Sequence, residues 1–368
     1  MNKHTYKQSA YYLIYLIRCV LHNKIPAKEK LDKMDLSGVF AVAKAHSLAA
    51  IAAYALGSAG IYDNAFEEAK NKAIRKNIIL DVERENIFSR FDKAGIWYVP
   101  LKGIIIKDYY PEIGMREMAD NDILIDKTRQ EDIKRIMLDC GFYVESYDKS
   151  KHDVYFKEPL CNFQMHVSLF ETDPNDPLYC YFKDMDKHLL SERNSCQRRF
   201  TNEDFYLYIK AHEYKHYASG GTGLRNIVDT YLLLNRFGSS YDWDYLYAEL
   251  DKMQIREYER QSRELTMHLF SSNKLTDEEK KLLDYFIFSG TYGNIENSIN
   301  NSLKKNNYSK TKYIFSRLIP PMSEIEKRYP IVYKHRILLP LLPVYRVINL
   351  LMRNRRKLIN EVRTLISI

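Results

Sequence analysis

"VPLKGIIIKDYYPEIGMREMADNDILID", residues 99–126, is the stretch on which the fold turns. A strand ends at Leu101, Lys102-Gly103 makes a turn, and "IIIKDYY" starts a short helix that Pro111 ends. Such a turn places backbone N–H groups and a lysine where a phosphate can rest. Downstream, Asp120-Asn121-Asp122 leads straight into an apolar strand. In extended chain, residues i and i+2 point to one side, so both carboxylates face one cleft. Two carboxylates on a rigid edge suit magnesium, a hard cation that takes oxygen ligands and bridges substrate phosphates. Spacing alone leaves a second reading equally open: Asp and Asn favour turns and can introduce a strand without any metal.

Outward from this stretch, "IWYVPL" (96–101) and "DILI" (122–125) read as strands, and "TRQEDIKRIMLDC" (128–140) as a helix with Gly141 at its end. "FYVES", "DVYFKE" and "NFQMHVSLF" read as three more strands between polar turns. Residues 5–93 are helical in pattern, apolar at three- and four-residue spacing until Gly95 stops the run. His46, among apolar neighbours, reads as a packing histidine. Past about residue 200 the helical pattern returns, and "NSINNSLKKNNYSKTK" (297–312) is the expected flexible loop. The expected division is therefore a helical lobe over 1–94, an α/β core over 95–200, and a second helical lobe over 201–368 with a basic terminal helix.

Bulk properties exclude little beyond this. With 45% apolar and 28% charged residues, the 368-residue chain has the composition of a globular protein able to bury large cores. A net charge of +8 is a mild bias, compatible with a phosphate-bearing ligand. Five scattered cysteines without a C-x-x-C argue for reduced thiols in a cytoplasmic protein. The start lacks a long apolar run and a small-residue cleavage site, so no signal peptide is expected. "ILLPLLPVYRVINLLM" (337–352) holds two prolines and Arg346 and is too short to span a bilayer, so no transmembrane segment is expected.

Leu101-Lys102-Gly103, Tyr110-Pro111, Arg116 and Asp120-Asn121-Asp122, with "HDVYFKEP", "NFQMHVSLF" and "HEYKHYASGGTGLRNIVDTYLLL" further on, make the chain resemble the uncharacterised nucleotidyltransferase family. That family lies within the polymerase-β-like superfamily, and the likeness covers nearly the whole chain. It implies an α+β fold: a polymerase-β-like nucleotidyltransferase core with a small mixed sheet, flanked by N-terminal and C-terminal helical lobes, in a bacterial protein. It implies Mg²⁺- or Mn²⁺-dependent transfer of an NMP from an NTP to an acceptor, with pyrophosphate leaving. No motif names the base or the acceptor, which the resemblance leaves open among small molecules, sugars, protein and RNA.

On this resemblance Asp120 and Asp122 carry the metal ions, and Lys102 and Gly103 stand where relatives place a Gly-Ser phosphate-binding turn. Arg116 becomes a phosphate or metal-site neighbour, with a surface salt bridge as the alternative. His212, His216 and Arg225 either face the nucleotide cleft or hydrogen-bond at a seam between lobes, and Arg225 can pair with Asp229 one turn on. One position departs from the pattern. The third acid of the superfamily is replaced by Gln164, an amide that brings no charge and is a poor base. Glu158, Glu171 and Asp153 are the carboxylates that could stand in. Hence a second function is kept beside the enzyme: a catalytically weak nucleotide-binding pseudoenzyme or regulatory module.

"HEYKH" (212–216) also spells H-E-x-x-H, the zinc-protease pattern. Phe205, Ile209, His212 and His216 share helical spacing, which puts both histidines on an apolar stripe, and Lys215 sits where such proteases avoid charge. The zinc reading is set aside. Finally, residues 345–366 carry Arg346, Arg353, Arg355, Arg356, Lys357 and Arg363 against one acid, Glu361. An RNA or membrane-surface contact is one reading of that helix; a helix docking one face and solvating the other is preferred.

Overall fold

The computed structural model of the chain describes residues 1–271, 274–291, 293–305, 309–320 and 322–367. Residues 99–126 build the expected strand–turn–helix–strand. β1 (Tyr98–Pro100) leads into a one-turn helix (Gly103–Ile106) and then, after an irregular loop, β2 (Asn121–Ile125). Three strands complete the sheet: β3 (Tyr143–Ser146), β4 (His152–Lys157) and β5 (Cys161–His166), in the order β1-β2-β5-β4-β3. β2 runs parallel to β5 and antiparallel to β1, so the sheet is mixed. A parallel neighbour needs a crossover, which the helix Gln130–Asp139 and the β3–β4 hairpin supply.

Strand alternation decides which side carries chemistry. Ile123 and Ile125 of β2, Cys161, Phe163 and Met165 of β5 and Tyr155 of β4 join Leu80, Ile87, Phe91, Ile133 and Met137 in one buried cluster. Those last five residues belong to the helices Asn64–Lys93 and Gln130–Asp139, which cover that face. The other side of the same strands bears Asp122, Gln164 and His166. The helix Asn64–Lys93 is capped by Asp63, whose side chain accepts from Ala65 and Phe66 N–H, and it stops before Gly95, which sits at φ 66°.

The chain folds as two compact units, Met1–His212 with Leu224–Ile287, and Glu213–Gly223 with Phe288–Ile368. In the first, Lys3–Leu21 packs on Leu36–Ala45 and Ala49–Ser58, and Leu224–Phe237 packs on Arg256–Phe270. The helix Asn202–Ser219 departs from the expected apolar stripe: Phe205 through Ala211, Lys210 included, are all buried, so it is enclosed on every side there. Helices make up 65% of this α+β fold. That share places the mixed sheet within a mostly helical protein, as the sequence predicts. Among the described residues no helix is long and apolar enough to cross a membrane.

The second unit corrects one expectation. Residues 297–305 and 310–312, expected in a flexible loop, belong to the helices Ile295–Lys305 and Lys310–Leu318; residues 306–308 lie outside the described residues. Asn and Ser make the segment look loop-like, but most of them lie inside the first helix, whose start Asn294 caps by accepting from Asn297 N–H, and Ser309 caps the second by accepting from Lys312 N–H. Ile295, Ile299 and Leu303 recur every fourth residue and pack together. A short ribbon, Leu190–Ser191 with Arg198–Arg199, and the helix Pro177–Phe182 were also not anticipated.

Candidate functional site

The first unit brings Lys102, Asp120, Asp122, Gln164 and His166 together. Asp122 and Gln164 face each other across the parallel β2–β5 pair, and Leu124 faces His166. Gln164 Nε2 donates to Asp120 Oδ2 at 2.7 Å, and His166 Nε2 donates to Asp122 Oδ1 at 2.7 Å. Lys102 Nζ lies 3.1 Å from the same Asp122 oxygen. Asp122 is buried and Asp120 half-buried beside it, yet their surroundings push them in opposite directions. Burial and the neighbouring Asp122 charge push the Asp120 carboxyl up to about 6. Burial acts on Asp122 in the same sense, but the Lys102 ammonium and the His166 hydrogen bond outweigh it and hold its carboxyl well below the usual range. Near neutrality the pair therefore keeps its more secure charge on Asp122.

Burial lowers the His166 imidazole to about 3, so it is neutral, and donation from Nε2 leaves Nδ1 as an acceptor. Among the described residues that Nδ1 has no hydrogen-bond partner. His152, directly across β4–β5, stacks obliquely on His166 with ring centroids 4.9 Å apart.

The loop before β2 is gripped by the helix Asn64–Lys93. Lys76 Nζ donates to Ala119 O at 2.7 Å, Asn121 Nδ2 donates to Leu80 O at 3.1 Å, and Arg84 Nη1 donates to Asn121 Oδ1 at 3.1 Å. Residues 76, 80 and 84 recur every fourth position, one face of a helix, so a single rigid element fixes where Asp120 and Asp122 begin. The middle Asn of the Asp-x-Asp run is thus an anchor.

The Lys102 backbone sits at φ 47°, a conformation a side-chain-bearing residue adopts only under constraint. Leu101 N–H to Asp122 O at 3.0 Å and Ile106 N–H to Lys102 O at 3.0 Å supply it. The expected cradle of free N–H groups is reduced, since Ile104 N–H is taken by Leu101 O and Ile105 N–H by Lys102 O. What the turn offers is chiefly the Lys102 ammonium. Gly103 is needed for a close approach: a Cβ there would fall on Arg116 Nη1 and lie 2.8 Å from Met118 Sδ.

Arg116 is buried and committed to partners within the fold. Its Nε and Nη2 donate to Asp229 at 3.0 and 2.8 Å, its Nη1 reaches Met118 Sδ, and Tyr110 Oη donates to Asp229 Oδ1 at 2.7 Å. Arg116 forms the salt bridge held as the alternative, buried rather than on the surface, and ties the Tyr110–Met118 loop to the helix Leu224–Phe237, while also sensing the Asp120 charge. Asp229, expected to pair with Arg225, gives its carboxylate to Arg116 and Tyr110. Arg225, at the start of that helix, acts on Asp120 electrostatically and holds down the rise of its carboxyl. His46, buried and neutral with its imidazole lowered to about 4, accepts from Leu224 N–H at 3.1 Å and so sets the helix start beside Arg225. His212 sits against Tyr208, ring centroids 6.2 Å apart, and Tyr208 feels the Asp122 charge, which together with the larger effect of burial raises its phenol. His216 belongs to the second unit.

Among the described residues, none of the three candidate acids is placed with the pair. Asp153 alternates to the opposite face of β4, where it accepts from Gln130 Nε2 and Asp148 N–H. Glu158 is exposed in the β4–β5 turn, and Glu171 is exposed beyond β5. Among the described residues no three or more His, Cys, Asp or Glu side chains are arranged to hold a metal on their own. Two carboxylates still fit magnesium, which is usually bound by one or two of them together with substrate phosphates. Burial, and after it the neighbouring Asp122 charge, raise the Asp120 carboxyl, and a bound cation would offset both. A cavity of about 680 Å³ opens at the carboxyl ends of β2 and β5, lined by Trp97, Leu124, Thr128, Ser168, Tyr179 and Phe182 among others.

The family model of the uncharacterised nucleotidyltransferases matches residues 32–271, which contain every residue of this site. The chain belongs to the uncharacterised nucleotidyltransferase family. Membership supports nucleotidyl transfer as the general activity and an enzyme of the transferase class. No curated protein and no solved structure matches the chain.

Proposed function

We propose that this nucleotidyltransferase binds an NTP with Mg²⁺ or Mn²⁺ over Asp120 and Asp122 and transfers the NMP to a hydroxyl acceptor. The observation that carries the reading is the Asp120–Asp122 pair, one carboxylate buried and one half-buried, set abreast of Gln164 and His166 with Lys102 on one of its oxygens. A bound magnesium ion supplies charge neutralisation of the phosphates. Lys102, Arg225 and His212 bring donors to the triphosphate, and Gly103 lets the Lys102 turn close against Arg116. In transfer, the acceptor oxygen bonds to the α-phosphorus, the bond to pyrophosphate breaks, and the acceptor's proton passes to solvent water. Gln164 donates to Asp120 and orients it, but it offers the proton no base. The cavity beyond Leu124, a residue on the same face of β2 as Asp122, is the space this reading gives to the acceptor. A cytoplasmic location, where NTPs abound, suits five unpaired cysteines.

The second reading, nucleotide binding with weak turnover, rests on Gln164, since a general base is typically worth ~10²–10⁴-fold. Incubation with each labelled NTP and Mg²⁺ or Mn²⁺, alone and with cell extract, tests both. Metal-dependent binding of an NTP with label moving to an acceptor is the expected result. Binding without transfer selects the second reading, and no binding of any NTP overturns both.

A further inference from the structure

The terminal helix Leu342–Ser367 leaves an apolar face outward. It docks within its unit on one side. Leu365 packs against Ile299, Leu303 and Tyr313, and Glu361 accepts from Tyr313 Oη at 2.6 Å and from Arg317 Nε at 2.8 Å. A helix that docked one face and solvated the other would be polar on the remaining side. Here Leu341, Tyr345, Ile348, Met352, Ile359 and Val362 are exposed at three-, four- and seven-residue spacing, a continuous stripe on that side. Met352 is 81% exposed, and Ile337, just before the helix, is 86% exposed. A stripe of this length in water marks an interaction surface.

Its charge says what covers it. Arg355 and Arg363 are exposed within the stripe, and Lys334 and Arg336 are exposed where the chain enters it. The one acid of the helix, Glu361, is neutralised by Arg317. Aliphatic side chains bordered by uncompensated cations match a bilayer with anionic headgroups, where the apolar stripe sinks to the acyl boundary and the cations stay among phosphates. Single-stranded RNA is met instead by aromatic platforms, and Tyr345 is the one aromatic of the six stripe residues. With no described helix able to cross a membrane, this one lies on the surface. We propose that residues 331–363 bind the chain peripherally to an anionic bilayer.

The test is flotation of the full-length protein with vesicles of phosphatidylcholine alone or mixed with phosphatidylglycerol, at low and high salt. The protein is expected to float with the anionic vesicles, and less so at high salt, where charges are screened beyond ~3 Å at 1 M. Arg355→Glu removes a cation and adds an anion, so partitioning falls on the order of tenfold or more. Met352→Glu, at an exposed position, lowers it similarly while helicity and NTP binding stay unchanged. Equal flotation with neutral and anionic vesicles overturns the proposal, as does none with either. So does a dimer dispersed by Met352→Glu, or an RNA mobility shift, without vesicle binding.

Discussion

Asp120→Asn is expected to make the metal-free protein more stable at alkaline pH while abolishing metal–nucleotide binding. The Asp120 carboxyl is pushed from 3.8 up to about 6. Its folded-state value is thus raised, so the folded chain favours the proton. The stability this confers is complete below the unfolded value and is lost as pH rises through 6. That rise corresponds to about 3 kcal/mol between mild acid and pH 8, since each tenfold change in proton affinity is about 1.4 kcal/mol. Asparagine keeps an oxygen to accept the 2.7 Å hydrogen bond from Gln164 Nε2 and carries no charge. The stability difference between variant and parent should therefore grow from near zero at about pH 4 to the order of 3 kcal/mol at about pH 8. Urea unfolding in EDTA at both pH values measures it, and calorimetry with Mg²⁺ and an NTP measures the lost binding. A variant no more stable than the parent at pH 8, or one whose offset is the same at both pH values, refutes the reasoning.

Asp122→Asn should behave oppositely, costing on the order of 3 kcal/mol at neutral pH because it strips the carboxylate from the largely buried Lys102; its folded-state carboxyl is depressed, so unfolding curves should show that cost until strong acid. Gly103→Ala should cost about 1–3 kcal/mol by pressing on Arg116 and Met118, read as a lowered unfolding midpoint. Gln164→Glu should tighten Mg²⁺ binding and raise transfer, and a folded variant with lower transfer and no gain in affinity removes Gln164 as the missing acid. Ser168→Trp, which fills the cavity beyond Leu124, should leave NTP binding intact and remove transfer, separable by calorimetry and label incorporation.

Much of the fold was legible because its signals are local. The strand at 122–125 and the turn before Gly103 follow from a few neighbouring residues, and the helix Asn64–Lys93 from its apolar period and Gly95. The segment 297–312 misled because Asn and Ser weigh toward loops by composition, although Ile295, Ile299 and Leu303 keep a helical period beneath them. Likewise Lys210 and Glu213 look like solvent-facing charges in sequence, yet both are buried. Periodicity reports an amphipathic helix well and an enclosed one badly.

The site divides along the same line. Asp120 and Asp122 could be placed on one side from spacing, and Gln164 beside them by likeness to a motif. What positions them could not, because it acts between residues far apart in the chain. Arg116 and Asp229 are 113 residues apart, His46 and Leu224 178, and Arg84 and Asn121 37. Each of these contacts uses a residue type that in sequence has a blander reading: a surface arginine, a packing histidine, a turn asparagine. Together they hold β2 from one side with a long helix and the preceding loop from the other with Asp229. The carboxylate pair is thereby held in place, and the raised Asp120 carboxyl follows first from its desolvation there and then from the neighbouring Asp122 charge.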